Sequence, residues 1–128
     1  MSRVLWKSQP DAHDYPAAAS YLSLVADRDT VELIVDRLKA SSIVHYTAKD
    51  ILRASRLEIL SADNVHVAKD IAKVRSGKAL SPVLLVRGDL LRGVPLQIAD
   101  GYHRVCASYR LDEDTDIPCR IVGLTEPR

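Results

Sequence analysis

Residues 98–110 read IADGYHRVCASYR. An apolar run reaches Asp100-Gly101, and a helical pattern begins at once. Tyr102, Val105, Cys106 and Tyr109 fall at i, i+3, i+4 and i+7, one face of a helix that packs on a sheet. His103 and Arg104 lie off that face, in the first turn. That is the wrong end for them. A helix N-terminus has unpaired N–H groups and a partial positive charge, so cationic side chains are disfavoured there. An anion removes the conflict: a phosphate would meet the N–H groups, the dipole and two donor side chains. Gly101 keeps the backbone open to approach, and Asp100 is a good cap residue. A plainer reading stays open beside this one. In it Asp100 caps the helix and offsets Arg104, and His103 is merely solvated.

Working outward, PVLLV (82–86) is a short continuous apolar run with two β-branched residues, the pattern of a buried strand. RGDLLRG (87–93) is a loop with glycine near each end, and PLQIA (95–99) is the partner strand. After the helix comes a DEDTD loop, then IPCRIV (117–122) as a last strand. Upstream, LEIL (57–60) reads as a short strand and SADN supplies a cap. A helix follows over 65–75, and Gly77 is placed to end it. The order strand, helix, strand, loop, strand, helix, strand predicts an α+β fold, a small mixed sheet with flanking helices.

Residues 1–54 read differently. Asp14 before Pro16 starts a helix that runs to about residue 25. Asp29 and Glu32 have capping-box spacing for a helix over 31–40. Thr47 and Asp50 cap AKDILRAS (48–55). We read 1–54 as a helical N-terminal extension and 55–128 as the sheet-bearing unit.

The 65–75 helix adds a second basic feature. Val67, Ile71 and Val74 form its apolar stripe, while His66, Lys69 and Lys73 form a separate basic one. Lys69 and Lys73 are like charges at i, i+4, an arrangement that costs about 0.2–0.5 kcal/mol. They read either as a solvated face or as the second wall of an anion site.

Composition limits the alternatives. The net charge of +1 and the absence of a recognition motif argue against a nucleic-acid partner. No apolar run reaches membrane-spanning length, and the first residues lack a signal-peptide pattern, so a cytoplasmic protein is expected. Cys106 and Cys119 sit in apolar settings and read as small buried hydrophobes rather than a disulfide or zinc framework.

SPVLLV, IADGYHR, VCASY and IPCRIV together resemble the domain shared by sulfiredoxins, the N-terminal domain of plasmid-partition ParB proteins and free-serine kinases. The resemblance covers about residues 57–123. It implies a nucleotide site in which Gly101, Tyr102, His103 and Arg104 grip phosphates. Lys69, Lys73 and Ser81 are the neighbours placed to help. It also implies ATP or another nucleotide as ligand, with Mg²⁺ at Asp100. An ATP-dependent phosphotransferase of kinase type would use Asp100 and His103 as its catalytic residues. Two departures bear on this. The cysteine that does sulfiredoxin chemistry is replaced by Tyr102, and the Glu of the partition motif Gly-Glu-x-Arg is absent. The alternative is a non-catalytic interaction module of the same fold. Its helical extension would bind a protein partner or a second copy.

Overall fold

The computed structural model describes residues 3–124. Five helices and four strands follow in the order α1 (Asp14–Leu22), α2 (Arg28–Ala40), β1 (Val44–Thr47), α3 (Ala48–Ser55), α4 (Val65–Arg75), β2 (Val83–Val86), β3 (Gln97–Asp100), α5 (Tyr102–Leu111) and β4 (Asp116–Val122). The sheet order is β1-β4-β2-β3. β4 and β2 are parallel, and each pairs antiparallel with an edge strand. This is the α+β class expected from the pattern.

Helices cover both faces of the sheet. Val83 and Leu85 of β2 point into a core shared with α3, α4 and α5. Leu84 and Val86, the alternate residues, point into a second core with α1 and α2. A strand covered on both faces has no solvent side, which is why PVLLV shows no polar alternation.

Residues 1–54 are built into this sandwich. Val31, Ile34 and Leu38 of α2 pack on Leu84, Val86 and Val122. Arg120, buried on β4, reaches across and donates to the carbonyls of Leu38, Lys39 and Ser41 at the end of α2. The last carbonyls of a helix run out of i+4 donors; Leu38 also accepts the Ser41 N–H and hydroxyl, and a strand residue completes the closure. Leu38 is fully buried, and Leu38→Ala is expected to cost about 3 kcal/mol. Urea unfolding would check it. A loss below about 1 kcal/mol would mean that α2 is only loosely attached.

Four local readings need correction. β1 lies in the segment read as helical; its residues are mostly exposed and its partner β4 is far along the chain. Residues 57–60 form no strand. Their carbonyls accept side chains instead: Arg110 donates to Ile59 and Leu60, and the Tyr102 hydroxyl donates to Glu58. The N-cap of α2 is Asp27, whose carboxylate accepts the Thr30 N–H at 2.8 Å, so the Asp29–Glu32 pair is not the box. α1 stops at Leu22, where the Ser23 hydroxyl turns back to the Ser20 carbonyl. The Thr47 cap of α3, the Asn64 cap of α4 and the positive-φ turn at Gly77 match the pattern. Among the described residues no helix is long and apolar enough to cross a membrane.

Candidate functional site

The site starts at the turn from β3 into α5. Gly101 sits there with φ +106°, a backbone conformation that L side chains rarely adopt. A Cβ built on it would come within 2.5 Å of Val83 Cγ1 and 2.8 Å of Arg104 Nη2. Glycine is thus required twice, by the dihedral and by the space. Gly101 is itself the N-cap of α5 and no side chain caps the helix, so the expected Asp100 cap is absent.

Asp100 does something else: its Oδ2 accepts Arg104 Nη2 at 2.9 Å. The same nitrogen donates to the Pro82 carbonyl at 3.3 Å and lies 3.9 Å from Asp14 Oδ2. Asp14 is 2 % exposed. Its Oδ2 accepts the Ser81 hydroxyl at 2.8 Å and the Asp11 N–H at 3.0 Å. Asp14 and Ser81, buried, and Asp100 and Arg104, partly buried, are therefore one polar knot, joining the first turn of α1 to the entrance of β2 and the start of α5. Arg104 resolves its own misplacement by folding back onto carboxylates. Its Nε is buried without a hydrogen-bond partner among the described residues.

α4 forms the facing wall. Asn64 caps it by accepting the His66 and Val67 N–H groups, which aims His66 at α5. The His66 and His103 rings lie 4.7 Å apart, centroid to centroid. Lys69, Asp70 and Lys73 follow along the same helix. Between the walls is a cleft of about 470 Å³. His66, Lys69, Asp70, Lys73, Ser81, Asp100, Gly101, His103 and Arg104 line it, with Lys7, Asp11 and His13 at the N-terminal side. Three of the chain's four histidines meet there. Clefts of about 700, 600 and 570 Å³ are larger and more apolar.

Of the residues expected at a phosphate site, Lys69, Lys73, Ser81, Asp100, Gly101, His103 and Arg104 come together. Tyr102 does not: it turns away to Glu58 and lines no part of this cleft. Ser81 is present, but its proton is committed to Asp14. Sequence reasoning missed Asp14 and His13. Nothing in residue spacing links position 14 to position 81 or 104. The structural link is the packing of α1 on the sheet.

The electrostatics follow from burial. Asp100 is pushed above the usual carboxylate range by burial, against the pull of Arg104. Burial also raises Asp70, with Lys73, Arg104 and the two histidines opposing. His103 is pushed down by burial and then by His66, with Asp70 opposing. With Lys7 on Asp11 and Arg104 on Asp100, the cationic groups left over are Lys69 and Lys73, set against Asp70. The cleft is thus close to neutral at physiological pH and gains charge when His103 protonates.

A divalent cation fits Asp100 poorly, because it would sit against the Arg104 guanidinium, which is already 2.9 Å from Oδ2, and like charges repel there. Asp11, His13 and Asp14 offer ligand atoms within 4.8 Å of one another. Lys7 holds both Asp11 oxygens at 2.9 and 3.0 Å, so an ion there would have to displace it.

Cys106 and Cys119 are free and buried. Burial raises both thiols, Cys119 to about 12. Neither should react with iodoacetamide in the native protein at neutral pH, and both should react on unfolding. Rapid native alkylation of Cys106 would reopen thiol chemistry at this helix.

No family model, curated protein or solved structure matches this chain.

Proposed function

We propose that the chain is a nucleotide-binding protein of the ParB/sulfiredoxin-like class, and that the α4–α5 cleft holds the phosphates. One observation carries the reading. Lys69, Lys73, His66 and His103 come from two helices and converge on the glycine-capped start of α5. No side chain caps the first N–H groups of that helix, which is the condition under which an anion is useful to it. In this reading His103 and Lys69 contact the phosphates directly. Arg104 acts as the positive base of the cradle, held by Asp100 and Asp14. The proposal is binding, not transfer: Asp100 is tied to Arg104 and makes a poor Mg²⁺ ligand or base. Two free buried thiols and a nucleotide ligand go with a cytoplasmic protein.

Proton linkage supplies the test. Burial holds His103 below its ordinary pKa, so in the free protein it favours the neutral form. Its contribution to stability is present above the unfolded value and lost as pH falls through that range. A bound phosphate reverses the preference and draws a proton in. Binding of ATP without metal is expected to take up about half a proton near neutral pH and to tighten about tenfold between about pH 8 and pH 6. Calorimetry in two buffers of different ionisation enthalpy measures the uptake. Lys69→Ala with His103→Ala should abolish both binding and uptake while leaving the fold intact, since neither residue joins the polar knot. Unchanged binding by that folded double variant would falsify the site.

A further inference from the structure

A different surface lies under the loop between β2 and β3. Residues 87–94 form a tight hairpin: Asp89 and Val94 exchange both backbone hydrogen bonds at 2.9 Å. The Asp89 carboxylate accepts the N–H groups of Leu91 and Arg92 at 3.1 and 3.3 Å. Gly88 has no room for a Cβ, which would meet the Val94 carbonyl oxygen at 2.2 Å. The Arg56 guanidinium, from the end of α3, donates to the Gly93 carbonyl at 3.3 Å and ties the hairpin to that helix. This internally bonded loop nevertheless leaves Leu90 93 % and Leu91 97 % exposed. Its hydrogen bonds fix the backbone that presents two leucines, and both stay exposed among the described residues.

Beside them is a groove of about 600 Å³ between α3 and the hairpin. Ile51, Leu85, Leu96 and Ile121 are among its apolar lining, and Leu90 forms part of its wall. Arg53 and Arg56 stand on its α3 side, and Asp50 is the one acid among its described lining residues. Arg53 meets that acid only at 3.9 Å and its side chain is 87 % exposed.

We infer that this groove docks an acidic peptide segment of a partner protein, one that carries large apolar side chains beside its carboxylates. Charge selects the partner: arginines outnumber acids around an apolar floor, so glutamates or aspartates flanking leucine or an aromatic residue complement it. Concavity separates this occupant from a lipid surface, because a recessed floor is reached by an inserted side chain and not by a bilayer. A second copy of the chain is disfavoured by charge, since it would bring the same arginines to the same face. This surface is separate from the phosphate cleft and does not depend on it.

The test is selection of displayed random dodecapeptides on the immobilised full chain, followed by direct binding of the winners as synthetic peptides. Enriched sequences should combine Asp or Glu with Leu, Phe or Trp. They should bind Leu90→Ser/Leu91→Ser and Arg53→Glu about tenfold or more weakly. These residues are exposed, so the variants should melt like wild type. Failure to enrich any peptide over the Leu90→Ser/Leu91→Ser bait overturns the inference, as does enrichment of basic or uncharged sequences. Leucine-dependent sedimentation with anionic phospholipid vesicles would assign the patch to lipid instead. Leucine-dependent dimerisation in sedimentation velocity would assign it to a second copy. Either result contradicts the peptide reading.

Discussion

Gly101→Ala is expected to lower the unfolding free energy by about 3 kcal/mol or more, from backbone strain and overpacking together. The backbone at φ +106° is unfavourable for any residue with a Cβ. The new methyl would also lie inside contact distance of Val83 Cγ1 and Arg104 Nη2. Val83 is fully buried on the central strand and cannot step aside without disturbing the core. The arginine can step aside, but only by breaking its bond to Asp100, and the clash with Val83 remains. The variant should lose phosphate binding along with stability, because the same turn forms the cradle. Urea unfolding gives the magnitude. A loss under about 1 kcal/mol would mean that the β3–α5 turn is far more plastic than the packing around it implies.

Arg104→Met should cost about 2–3 kcal/mol at neutral pH, somewhat less than removing one partner of a fully buried ion pair, because both side chains are partly buried. Asp100 is raised already by burial and would lose the cation that opposes the rise. The sign of the pH dependence follows. A carboxyl with a raised folded pKa is best accommodated when protonated, so its contribution to stability is present at low pH and lost as pH rises. The gap between variant and wild type should be small at acid pH, where Asp100 is protonated, and widen as pH rises and Asp100 ionises without a partner. A pH-independent gap would show that lost packing, not charge, accounts for the cost. The distinction matters because it decides whether Arg104 stands chiefly as a structural counter-ion or as a free cation of the site.

The parts of the fold that are local in sequence were legible in it. Asn64, Thr47 and Gly77 cap or stop helices through contacts a few residues away. PVLLV declared itself a doubly covered strand by having no polar face. What escaped was non-local. β1 is short, polar and exposed, and only its pairing with β4 makes it a strand. Residues 57–60 are apolar enough for a strand, yet their carbonyls are satisfied by Arg110 and Tyr102 from α5. At the site, the basic stripe on α4 and the basic first turn of α5 could be read as two walls, and the fold sets them face to face. The role of Arg104 was hidden, because its buried neighbour Asp14 enters from α1, within the segment whose pattern reads as a helical extension.

The most direct test of the phosphate cleft is an amide and imidazole NMR titration of the full chain with ATP, without metal. The expected result is saturable shifts at the N–H groups of Gly101, Tyr102 and His103, at Lys69 and Lys73, and at the imidazoles of His66 and His103. The pKa of the His103 imidazole should rise on binding. Shifts confined to another face of the molecule, or none at millimolar ATP, would contradict the assignment and leave the basic first turn of α5 as an ion-paired structural feature.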